Sequence, residues 1–176
     1  MSEENTDKSQ PKPTWRFFLL FSIGVAFFIG QIVLCVLFYN WAGLDWLLYL
    51  GWAILAVGLL LVTMAGRALK KKGEATEEES WLATKVVVDS GVYAVIRHPM
   101  FLSLIWSSLA LIFISQHWLS PIFGVPVIVL LYLSMRLDER ASIEKFGDDY
   151  KCYMQSVPRM SLALGFIRLL RRRKRG

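Results

Sequence analysis

Three long stretches of this chain contain no Asp, Glu, Lys or Arg: Phe17 to Phe38, Trp46 to Gly66 and Pro99 to Met135. A helix rises about 1.5 Å per residue, so each of the first two is long enough to cross a hydrocarbon core of about 30 Å. The charged residues, 19% of the chain, are gathered into blocks and not interleaved with apolar positions as on a soluble domain. The third stretch is too long for one ordinary span and is interrupted by Gln116-His117-Trp118-Leu119-Ser120-Pro121, a polar, proline-marked turn. It reads as a tight helical hairpin whose halves are each slightly short, which tilting or local thinning accommodates. The pattern predicts an all-α, polytopic membrane helical bundle of about four transmembrane helices, followed by a cytosolic helical C-terminal segment.

The lysines and arginines orient this bundle. Lys8, Lys12 and Arg16 precede the first span, Arg67, Lys70, Lys71 and Lys72 follow the second, and Arg136, Arg140 and Lys145 follow the fourth. The connections Tyr39 to Asp45 and Gln116 to Pro121 carry no lysine or arginine, so both termini are expected in the cytosol. The host membrane would be the plasma membrane of a prokaryote or the endoplasmic reticulum. Residues 1–14 are polar and mixed in charge, which fits a disordered cytosolic leader and not a cleavable signal. Cys35 lies inside a span and Cys152 in the cytosolic part, so both are expected as free thiols.

The net charge of +6, with Arg168 and the run Arg171 to Arg175, could suit nucleic acid. On the cytosolic side of a membrane protein the same cluster meets anionic lipid head groups, each basic residue contributing roughly 1 kcal/mol near the surface. We therefore expect a membrane partner and no nucleic acid. Residues 160–176 read as an amphipathic basic tail, with Leu162, Phe166, Leu169 and Leu170 on one face of an interfacial helix.

Polar chemistry is concentrated in two places. Gly91-Val92-Tyr93-Ala94-Val95-Ile96-Arg97-His98-Pro99 sets a cation and an imidazole before a proline suited to the first helical position, at the mouth of the third span. Farther on, Glu139, Ile143, Phe146, Tyr150, Tyr153 and Val157 recur at helical spacing, predicting one stripe of a helix continuing from the fourth span, with Gly147 marking a bend or close contact. Glu139 is the anomaly on that stripe. A carboxylate there must be paired, protonated or used, because burying it uncompensated costs several kcal/mol. An ion pair with Arg97 or Arg136 is the plainer account, and a site residue the sharper one.

Gly91-Val92-Tyr93, Arg97-His98-Pro99, Asp138-Glu139, Phe146-Gly147-Asp148-Asp149-Tyr150-Lys151-Cys152-Tyr153 and Val157-Pro158-Arg159, in that order behind two spans, resemble the isoprenylcysteine carboxyl methyltransferase family and its phospholipid methyltransferase relatives. The resemblance covers roughly Ala42 to Arg159. It implies that residues 15–159 form a membrane-embedded methyltransferase domain taking S-adenosylmethionine from the cytosol and a lipid or prenylated substrate from the bilayer. It nominates Tyr93, Arg97, His98, Pro99, Glu139, Tyr150, Tyr153 and Arg159 for cofactor binding and Glu139 and Arg97 for catalysis, with no metal. Phe101 and Ser103 depart from it, standing where the family usually has tyrosine and glycine. Carboxyl methylation of an isoprenylcysteine-like group is the first expectation. A phospholipid amine methyltransferase and a non-catalytic membrane scaffold remain the alternatives.

Overall fold

The computed structural model describes residues 15–72 and 86–173, and every regular element among them is helical. The expected leader, residues 1–14, lies outside them. The order is α1 (Trp15–Leu37), α2 (Asp45–Lys72), a 3-10 turn (Gly91–Ala94), α3 (Pro99–Ser115), α4 (Leu119–Phe146), α5 (Asp148–Ser156) and α6 (Leu162–Arg173). Helices α1, α2 and α4 are long and apolar enough to cross a membrane, and α3 is an apolar helix of 17 residues packed among them. The protein is an all-helical membrane bundle.

Helix α3 lies chiefly along α2, and α4 along α1. Small residues set the first seam. Gly51, Gly58 and Ala65 recur every seven residues on α2 and are all buried, the period that keeps one stripe of a helix facing a neighbour. A methyl on Gly51 would lie 2.8 Å from Ile114 Cγ1 and 3.0 Å from the Ala110 carbonyl oxygen, and one on Gly58 would lie 3.2 Å from the Ser103 oxygen. Absent side chains thus let the two backbones touch. At Ser103, where the resembled family usually has glycine, the close approach is made from the other helix, by Gly58. Ser103 itself turns inward and donates to the Met100 carbonyl at 2.7 Å.

A buried polar node joins three helices. Gln31 of α1, fully buried, donates to the Ser108 carbonyl of α3 at 2.7 Å, while the Ser108 hydroxyl donates back to Gln31 at 2.8 Å and approaches the Gly124 carbonyl of α4 at 3.4 Å. Every polar group of the node is answered, as an apolar surround demands.

The hairpin turn is shorter than expected. It occupies Gln116 to Trp118, and Ser120 and Pro121 already belong to the first turn of α4, where a proline forfeits no hydrogen bond. Gln116 ends α3 in the left-handed conformation, φ 55°. Its side-chain amide clamps Leu44, accepting from the amide and donating to the carbonyl, both at 2.9 Å. The α1–α2 and α3–α4 connections therefore meet at one end of the bundle. His117 is buried there, stacked on Phe38 at 4.0 Å between ring centroids and accepting from the Leu119 amide through Nδ1.

The stripe expected on one continuous helix is divided. Gly147, with φ 60° and ψ −128°, closes α4 and opens α5, a backbone shape that glycine adopts without steric penalty. The stripe still converges: Tyr150, Tyr153 and Val157 form one buried cluster with Ile143 and Phe146 against it. The face assigned to the tail also divides. In α6, Leu162 and Leu169 pack inward on the cluster containing Val95 and Ile96, whereas Phe166 and Leu170 are exposed.

Candidate functional site

Two segments far apart in sequence meet at the start of α3. The Arg97 amide donates to the Pro158 carbonyl at 3.1 Å and the His98 amide to the Arg159 carbonyl at 3.4 Å. The turn before α3 is thus tied by backbone to the strap after α5. Pro99 takes the first helical position with His98 before it, and the His98 carbonyl accepts from Leu102. The His98 side chain does not cap the helix. It points at the acidic pair on α4.

Glu139 is the centre of the arrangement. Its side chain is 6% exposed, and Arg159 grips it with both arms of the guanidinium, Nε to Oε1 at 3.1 Å and Nη2 to Oε2 at 2.6 Å. Such forked contacts are the strongest geometry available to this pair of groups. His98 Nε2 lies 3.2 Å from the same Oε1, and Arg97 Nη1 also lies 3.2 Å from it. The other ring nitrogen of His98 faces Asp138 at 3.7 Å, and Asp138 is 42% exposed. One buried carboxylate therefore organises three basic side chains from two separate segments.

The ion-pair account of Glu139 is correct in kind and half right in partner. Arg97 is present, but Arg136 is exposed and the second arginine is Arg159. Both oxygens are engaged, Oε1 by Arg159, His98 and Arg97 and Oε2 by Arg159.

Arg97 is less well served. Its side chain is only 8% exposed, yet Nε and Nη1 are buried without an aligned hydrogen-bond acceptor. Nη1 keeps its ion pair with Glu139 Oε1, but a buried guanidinium donor such as Nε with no acceptor is costly.

Tyr93, Tyr150 and Tyr153 wall the arrangement on one side and are all buried. The Tyr153 hydroxyl donates to the Tyr93 carbonyl at 2.7 Å, fixing α5 against the 3-10 turn, and the rings of Tyr150 and Tyr153 lie 5.8 Å apart. Burial, helped by the charges of Asp138 and Glu139 and opposed by Arg97 and a hydrogen bond with Ser142, pushes the Tyr150 phenol up to about 12. Burial likewise raises Tyr93 and Tyr153. Burial thus favours the neutral phenol in all three, and the Tyr153 hydroxyl acts as a donor.

Beside them opens a groove of about 660 Å³, lined by Val86, Val87 and Asp89 on one side and by Phe146, Asp149 and Tyr153 on the other. This volume lies within the range of small-molecule sites. Tyr153 is shared between groove and cluster. Phe101 stands edge-on to His98 at 5.9 Å and to Phe21 at 6.3 Å, closing the arrangement toward α1.

All eight nominated residues, Tyr93, Arg97, His98, Pro99, Glu139, Tyr150, Tyr153 and Arg159, belong to this one end of the bundle, connected by the contacts just described. Sequence reasoning missed three features: the backbone pairing of residues 97 and 98 with 158 and 159, the forked contact between Arg159 and Glu139, and Tyr132, whose hydroxyl accepts from Arg159 at 3.4 Å.

No curated protein and no solved structure matches the chain. The model of one family does, over residues 3–157, a region that holds α1 to α5 and stops just before Arg159 and α6. The chain belongs to the family described as protein of unknown function, DUF1295.

Proposed function

We propose that this protein is an S-adenosylmethionine-dependent methyltransferase acting on a lipid or prenylated substrate at the membrane–cytosol boundary. The observation that carries the reading is the buried Arg97 guanidinium, whose Nε has no acceptor and whose Nη1 has only the Glu139 ion pair at 3.2 Å, behind an aromatic wall whose Tyr153 also lines a groove of about 660 Å³. The residues present fit the cofactor at one end. A carboxylate is the natural acceptor for the open Nε donor of Arg97, and Tyr150 and Tyr153 offer aromatic faces to a cation. When bound, the cofactor supplies an activated methyl group on a sulfonium. Glu139 acts here as a positioning residue, holding Arg97, His98 and Arg159 in place, and Arg97 is the residue that touches ligand.

The engagement of Glu139 also bears on the acceptor. An amine nucleophile has to lose a proton before attack, and a carboxylate held by Arg159, Arg97 and His98 is a poor base. A carboxylate nucleophile needs none, since an anion then meets a cation and charge is dispersed, which a site with little water favours. We therefore place carboxyl methylation of an isoprenylcysteine-like group ahead of lipid amine methylation.

The deciding experiment is calorimetric titration of the purified protein with S-adenosylmethionine and S-adenosylhomocysteine. Binding is expected, and Arg97→Ala should weaken it by about 1.5–3 kcal/mol, roughly tenfold to a hundredfold. No binding of either compound, or binding of a nicotinamide dinucleotide in their place, would overturn the reading. Binding with turnover of no lipid extract would leave the scaffold alternative as the better description.

The reading also requires the Arg97 end to face the cytosol with both chain termini. Once Cys35 and Cys152 are replaced, a thiol at Trp118, which is 68% exposed, should label from outside intact cells. A thiol at the exposed Arg67 should label only after permeabilisation. The opposite pattern would sink the cytosolic placement.

A further inference from the structure

Helix α6 has three chemically different sides. Leu162, Gly165 and Leu169 face inward, where the two leucines join the cluster of Val95 and Ile96. The backbone approach at Gly165 is so close that a methyl there would lie 2.0 Å from the Val95 carbonyl oxygen. A second side is apolar and open: Phe166 is 55% exposed, Ile167 46% and Leu170 59%. The third is basic, with Arg168 and Arg171 both exposed and Arg168 donating to the Gln155 carbonyl at 3.3 Å.

The place of this helix in the fold says what should cover it. Val95 and Ile96 directly precede Arg97, His98 and the first residue of α3, and Ala68 and Leu69 near the end of α2 pack on the same cluster. Helix α6 thus lies at the end of the bundle where two apolar helices begin or finish, the end that also carries Arg67, Lys70 and Lys71. An apolar side flanked by arginines at that level matches a bilayer boundary, with side chains among the upper acyl carbons and guanidiniums among phosphates.

We propose that α6 is a docking surface for anionic lipid, seated in the head-group layer of the bilayer that the spans occupy, and that it braces the Val95–Arg97 limb of the site from outside. The partner is the anionic membrane surface. The inference rests on the membrane bundle and the contacts of α6, and it stands or falls independently of methyl transfer.

The test uses the full chain with its native cysteines replaced, reconstituted in vesicles of phosphatidylcholine alone or with one part in three of phosphatidylglycerol. A nitroxide is attached at Ile167→Cys or Leu170→Cys, and its collisions with oxygen and with a water-soluble nickel chelate are compared. In the anionic vesicles both labels should gain oxygen contact and lose nickel contact several-fold, whereas in neutral vesicles the change should be small. Arg168→Gln together with Arg171→Gln should abolish the difference between the two lipids. Labels equally open to nickel in both vesicles would overturn the proposal. Labels equally shielded in both vesicles and in detergent would also overturn it, pointing to a second copy or another protein on that face.

Discussion

Glu139→Gln should lower the stability of the folded protein by about 3–5 kcal/mol, the usual consequence of removing one member of a buried ion pair. The amide preserves shape, but Arg97, 8% exposed, would lose its acidic partner among the described residues, and Arg159 would lose a two-armed acceptor. Asp138→Asn should do much less, because Asp138 is 42% exposed and its one basic neighbour stands at 3.7 Å. Melting temperatures of the two variants in the same detergent check the contrast. A stable Glu139→Gln protein would show that the three basic groups are held by something other than this carboxylate. The double change Glu139→Leu with Arg97→Met should lose less than the sum of its parts, since it removes the charge and its counterpart together.

Gly51→Leu is expected to damage the bundle as severely from the opposite direction, by adding atoms where there is no room. Its first carbon would stand 2.8 Å from Ile114 Cγ1 and within 3.1 Å of backbone atoms at Ala110 and Ile114. A side-chain neighbour can rotate away, but the backbone of α3 cannot, so α2 and α3 must separate. Overpacking of this sort costs about 1–3 kcal/mol where the surroundings yield and more where they do not. Gly66→Leu on the same helix is the control, because a carbon added there meets nothing within 4 Å. Thermal unfolding of both variants, side by side with the parent protein, separates loss of contact from loss of helix flexibility. Equal melting temperatures for the two variants would refute a glycine-made seam.

Much of the bundle was legible because the membrane imposes a simple code. Charge-free runs of sufficient length can hardly be anything but buried or lipid-facing helix, and α1, α2 and the α3–α4 hairpin follow from that constraint alone. Pro99 was readable for a related reason, since proline is tolerated at so few helical positions. The boundaries were harder. Pro121 signals a turn and also suits a first helical turn, and only the left-handed Gln116 with its grip on Leu44 shows that the chain has already reversed. Gly147 announced an interruption without saying that the helix would end there, because the stripe from Ile143 to Val157 continues across the break.

The site was legible as a membership and not as a wiring. Spacing and family likeness nominated residues that the fold brings to one end, but which arginine reaches Glu139 depends on how the strap after α5 returns, and no periodicity encodes that path. Arg136 lies close to Glu139 in sequence and on the same helix, yet it is exposed. Arg159 comes from another segment and takes the carboxylate. The seam between α2 and α3 tells the same lesson. Gly51, Gly58 and Ala65 stand at a plain seven-residue interval, but one sequence does not name the helix they face.

The hydrogen bonds from the amides of Arg97 and His98 to the carbonyls of Pro158 and Arg159 bear on the order in which the molecule is made. Synthesis delivers α1 to α4 before residues 158 and 159, and early segments generally fold first. The bundle can therefore be inserted and packed while Glu139 still lacks its forked partner and two amides still lack their acceptors. Closure of the Arg97 end therefore follows packing of the spans, so a nascent chain stalled before Pro158 would already be a membrane bundle without the forked contact between Arg159 and Glu139.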